Sequence, residues 1–129
     1  MDNLQTLKQG RDLLLKLHKS LVDGERTLHE SVAGPVTPAQ FLGLLLEDPH
    51  FSWLRRFSTL IVEIDEMLAQ KDGYSEQEVQ AHLDKLRALA LGDGSDDTAF
   101  WERYQTALQQ NVEAAALHRE LRASLQQGN

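Results

Sequence analysis

Apolar residues recur at helical spacing along nearly the whole chain. Over residues 3–33, Leu7, Leu14, Leu21 and Leu28 return every seven positions, with Leu17 in an intervening slot. Gly10 and Gly24 occupy other intervening slots, where the missing side chain lets a neighbour approach closely. A helix over this span is about 45 Å long, and Gly34-Pro35 ends it. Thr37-Pro38-Ala39-Gln40 then predicts a new start, with Thr37 as cap, Pro38 in the first turn and Gln40 closing a capping box. The short helix that follows carries Phe41, Leu42, Leu44, Leu45 and Leu46 nearly all round, which predicts burial.

Asp48-Pro49 opens a third helix over 49–71, with His50, Trp53, Leu54, Phe57, Leu60, Ile61, Ile64, Met67 and Leu68 on one face. Asp72-Gly73 breaks it. Ser75 through Glu78 forms a second capping box and starts a helix over 76–91, with Val79, Leu83, Leu86 and Leu89 inward. After 92-GDGSDD-97, where Asp96 or Asp97 caps, a last helix is predicted over 98–127. The pattern holds no strand alternation and no repeat. It predicts an all-α fold in one domain, 1–129: an up-and-down bundle of four long helices plus one short helix between the first two.

The last helix carries a seam with alternating steps of four and three: Phe100, Tyr104, Ala107, Asn111, Ala114, His118, Leu121 and Leu125. Asn111 and His118 are its predicted buried polar positions. Buried, they need hydrogen-bond partners, and such pairs fix the register between helices.

Composition narrows the function classes. The 129 residues include no cysteine, so disulfides and thiol chemistry are excluded. A chain this long buries a core without a disulfide or a metal. The net charge of −7 argues against nucleic-acid binding. The start MDNLQTLKQG has no apolar run of a signal peptide. The most apolar stretch, 41-FLGLLLEDP-49, is too short for a bilayer, which takes about 20 residues. The expectation is a soluble, cytoplasmic chain without membrane contact.

Six of the eight aromatic residues fall in two short runs, 48-DPHFSWLRRF-57 and 100-FWERY-104. Alternating helix directions place both runs at one end of the bundle. His50, Trp53, Arg56, Trp101, Arg103 and Tyr104 are therefore the candidate residues for a small anionic or aromatic ligand, aided by helix N-termini. The competing expectation is a packed plug, with the arginines paired to Glu47 and Glu102.

Other chemistry has thin support. Glu47-x-x-His50 is a single copy of a motif that di-iron bundles use twice. Glu25/His29 and Glu78/His82 lie four apart, a spacing that presents two metal ligands on one helix face and that surface ion pairing explains as well. No metal or cofactor is expected. Asp65 sits at the edge of an apolar face with no evident partner. The acidic loop lacks the EF-hand pattern, and no phosphate-loop or nucleophile-elbow motif occurs. No catalytic residue is assigned.

The run 45-LLEDPHFSWLRRFSTLIVEIDEML-68, with its DP-x-F-x-W-L-R and L-I-V-x-I-D-E, resembles a segment of small, uncharacterised helical-bundle proteins of bacteria. That resemblance implies a recurring helical module and brings no activity with it. The expected function is a small soluble interaction or regulatory module acting without catalysis. Leu7, Leu14, Leu21 and Leu28 form its expected surface for a protein partner or a second copy in a dimer. The alternative is a ligand-binding bundle that uses the Trp53/Trp101 end.

Overall fold

The computed structural model describes residues 2–92 and 97–127. Among them the chain forms α1 (Asn3–Ala33), α2 (Pro38–Glu47), a 3-10 segment (Pro49–Leu54), α3 (Arg55–Leu68), α4 (Glu76–Leu91), α5 (Thr98–Gln109) and α6 (Val112–Gln127), with no strand. The fold is an all-α bundle. Residues 93–96 of the acidic loop lie outside the described residues, and Asp97 caps α5 by accepting the Phe100 N–H at 3.0 Å.

Local hydrogen bonds set most helix starts. Asp2 accepts the Gln5 N–H at 2.8 Å at the head of α1. Thr37 with Gln40, and Ser75 with Glu78, close reciprocal capping boxes. The Asp48 carboxylate takes the His50 N–H at 2.9 Å, and the expected helix over 49–71 begins as a 3-10 turn, becoming α-helical only at Arg55 and ending at Leu68.

The expected single helix over 98–127 is two helices. Asn111 causes the break, because its side chain serves as a cap. Its Oδ1 accepts the Ala114 N–H at 3.0 Å, and its Nδ2 donates to the Ser20 carbonyl at 3.0 Å. An asparagine so engaged favours a helix start over a helix interior. The bundle thus has six α-helices among the described residues instead of five.

α1 packs against α3, α4 and α6, and its C-terminal part meets α5 and the 3-10 segment. It runs antiparallel to α3, since Arg11 reaches Asp65 while His18 stacks on Phe57. It runs antiparallel to α6, with Gly10 beside Leu125 and Ser20 beside Asn111. Gly10 admits α4: a Cβ there would stand 2.5 Å from Leu86 Cδ2.

Leu7, Leu14, Leu17 and Leu21 join Phe57, Ile64, Leu83, Leu86, Leu121 and Leu125 in the core. Each such side chain contributes about 1.5–3 kcal/mol by leaving water. The expected partner surface is corrected accordingly. Leu7, Leu14 and Leu21 are consumed by the chain's own core, and only Leu28, 45 % exposed, faces outward. α2 also departs from expectation: Phe41 alone is buried, and Leu42 and Leu46 are exposed. Among the described residues no helix is long and apolar enough to cross a membrane.

Candidate functional site

The two aromatic runs meet. Phe57 lies 5.2 Å from Tyr104 and 5.9 Å from Phe100 between ring centroids, and Trp53 lies 6.4 Å from both Phe100 and Tyr104. Phe57 and Tyr104 have no exposed surface, and Trp53 almost none. Trp101 is half-buried, packed on Tyr104 at 5.4 Å and against Gly92. The indole N–H groups of Trp53 and Trp101 are buried and have no hydrogen-bond partner in the structure. Within the six-residue candidate set, Trp53 and Tyr104 are therefore packing groups closed to solvent.

The other members sit around this plug. Arg56 lies over the Phe100 ring at 4.6 Å and is ion-paired with Asp97. Arg103 lies over the Trp53 ring at 5.6 Å, and His50 Nε2 is 3.4 Å from its guanidinium. Neither arginine pairs with Glu47 or Glu102. The partner of Arg103 is Glu25 of α1, at 3.6 Å. A shallow depression of about 330 Å³ touches His50, Trp53, Arg56 and Arg103.

Glu25, which the sequence offers only beside His29, is a further residue of this region. It is only 6 % exposed, yet it lines two neighbouring clefts. One, of about 350 Å³, runs between α1, the 3-10 segment and α5, with His29, His50 and Arg103 in its walls. The other, of about 310 Å³, runs between α1 and the α5–α6 break, with Asn111 and Val112 in its walls. Glu25, Leu28, Ala107 and Gln110 line both, so the clefts form one groove. Leu28 faces it from α1, together with Val32, which is 90 % exposed, and Val112 faces it from α6 at 86 %. Removing a carboxylate from water is costly unless hydrogen bonds or a close cation compensate. Among the described residues Glu25 has only the long contact to Arg103.

The seam residues are joined to this region. His118 is buried, and its Nδ1 lies 2.5 Å from the Tyr104 hydroxyl. Burial and the nearby Arg122 and Arg119 lower its pKa to about 4, so the ring is neutral near pH 7. Asn111 is half-buried and held by Ser20. The glycine at 24 makes room for it, since a Cβ there would stand 2.8 Å from Asn111 Nδ2.

Asp65 proves to have a partner. Arg11 grips both its oxygens at 2.8 Å, and this bond raises the Arg11 pKa. His82 Nδ1 rests 2.8 Å from the Glu78 carbonyl oxygen. Among the described residues no group of three histidine, aspartate or glutamate side chains is placed to hold a metal ion. No family model, curated protein or solved structure matches this chain.

Proposed function

We propose that the chain is a small binding module that receives a segment of a protein partner in the groove between α1, α5 and the α5–α6 break. The observation that carries this reading is the exposure of Leu28, Val32 and Val112 along one groove that also holds Glu25, itself only 6 % exposed. Scattered exposed aliphatics are ordinary; aliphatics gathered along a groove with a few convergent polar groups mark contact surfaces. The partner surface is thus the C-terminal end of α1, where Leu28 lies, and not the leucine seam as a whole.

The alternative reading, a small anion held at the Trp53/Trp101 end, draws support from the cations Arg56 and Arg103 beside His50. It is the weaker reading because Arg56 is already paired with Asp97, and Trp53 and Tyr104 are closed to solvent.

The test is a photo-cross-linking amino acid placed at Val32 and, as a control, at Val62, an exposed α3 valine that lines neither cleft. The expected result is a discrete protein adduct from position 32 alone. Binding of that purified partner should weaken about tenfold or more in Val32→Asp, since burying an unpaired charge costs at least that much. Equal adducts from both positions, or none from position 32, would refute the reading.

A further inference from the structure

We infer that Glu25 is the specificity determinant of this groove, and that the partner segment presents a lysine or arginine side chain to it between aliphatic residues. The inference rests on the reading of the groove as a partner site. Its physical basis is the state of the Glu25 carboxylate. An ionised carboxylate has about four acceptor positions. The side chain is more than nine-tenths buried, yet among the described residues it makes no hydrogen bond, and its one ion-pair partner stands 3.6 Å away. Arg103 is also shared: its guanidinium lies over the Trp53 ring at 5.6 Å and meets His50 Nε2 at 3.4 Å.

The two clefts differ in their charged groups. Arg103 lines the first cleft and is absent from the second, where Glu25 is the sole ionisable side chain among the described residues. The neutral polar groups there are Thr27, Gln110 and Asn111, and Leu28 and Val112 supply the aliphatic wall. A carboxylate in a cleft with otherwise neutral and aliphatic walls selects a cation on an alkyl stem. Lysine and arginine side chains have that form, an apolar stem with a charged head. The chain's net charge of −7 favours encounter with a basic partner.

The experiment titrates the full-length chain with a capped peptide carrying one lysine flanked by leucines. The same peptide with norleucine or glutamate replacing the lysine, and n-butylammonium chloride alone, serve as comparisons. Binding is read by NMR from the Glu25 carboxyl carbon and the Val112 methyls. The lysine peptide should move both signals. It should bind about tenfold or more tightly than the norleucine peptide, as one charged hydrogen bond implies. Glu25→Gln should erase that difference. The ligand-side changes leave the protein untouched, so a folding defect in the variant cannot imitate the result. If the lysine and norleucine peptides bind equally, the groove reading stands and the role given to Glu25 falls. If n-butylammonium binds as tightly as the lysine peptide, with the same loss in Glu25→Gln, the occupant is a small amine and the protein partner falls. If no probe moves either signal, both readings fall.

Discussion

The Tyr104 hydroxyl and His118 Nδ1 lie 2.5 Å apart, both residues buried, and tie α5 to α6 on either side of the Asn111 break. Burial raises the phenol's pKa above its ordinary value and, with Arg122 and Arg119, lowers that of the imidazole from 6.5 to about 4. Both groups are neutral near pH 7 and share one hydrogen bond.

This pair predicts an acid-sensitive fold. The unfolded chain takes up a proton on His118 near pH 6.5, and the folded chain resists it until about pH 4. The stability contribution is therefore complete above about pH 6.5 and declines as the pH falls through that window. The loss is on the order of 3 kcal/mol by pH 4. His18, whose pKa burial also lowers, adds in the same direction. Urea unfolding across this range should show a shallower pH dependence for His118→Gln than for the wild type. Parallel curves would show that His118 is not the responsible group.

The aromatic end predicts a large cost for truncation. Trp53 touches Phe57, Phe100 and Tyr104 with almost no exposure. Trp53→Ala should destabilise the chain by about 3–5 kcal/mol, as deletion of a large core side chain does. Trp53→Phe should cost far less, within about 1.5 kcal/mol, because it keeps a ring and removes a buried N–H that has no partner. Chemical denaturation of the two variants separates a packed plug from an open pocket, which would tolerate both.

Much of this architecture was legible because its signals are local. The boxes Thr37–Gln40 and Ser75–Glu78 lie within one turn, and the heptad leucines of α1 show their own period. What stayed hidden depends on residues distant in sequence. Asp65 lacked a visible partner because Arg11 lies 54 residues away. Spacing alone pairs Glu25 with His29, whereas its actual contact, Arg103, comes from another helix. The Asn111 break had a local signal, an asparagine with an acid in the turn that follows, but the heptad seam runs through it unbroken. Leu28 keeps the heptad period, yet α6 begins at Val112, near Ser20 and Gly24, and leaves the end of α1 uncovered by that helix.

The Arg11–Asp65 pair predicts a modest, salt-sensitive coupling. Its geometry is bidentate, but the Asp65 side chain is 46 % exposed. A double-mutant cycle with Arg11→Met and Asp65→Asn should give about 0.5–1 kcal/mol at low salt, and clearly less at high ionic strength. A coupling of several kcal/mol would mean that the pair is far less hydrated than its exposure indicates.

Two glycines in helices predict opposite signs for one substitution. Gly43 lies in α2, and a Cβ there would meet nothing within 4 Å. Gly43→Ala should stabilise the chain by about 0.5–1 kcal/mol, from helix propensity and a less free unfolded chain. Gly24 lies in α1 with the same propensity to gain. Its added Cβ would stand 2.8 Å from Asn111 Nδ2, the atom that donates to the Ser20 carbonyl. That side chain cannot swing away without losing this bond and the cap on Ala114. Gly24→Ala should therefore destabilise by about 1–3 kcal/mol, the range for overpacking and for a lost cap. In Asn111→Ala the obstruction is gone, so Gly24→Ala added to that background should be neutral or stabilising. Thermal unfolding of the single and double variants measures the change. Additive losses in the double variant would mean that Gly24 is required for a reason other than room for Asn111.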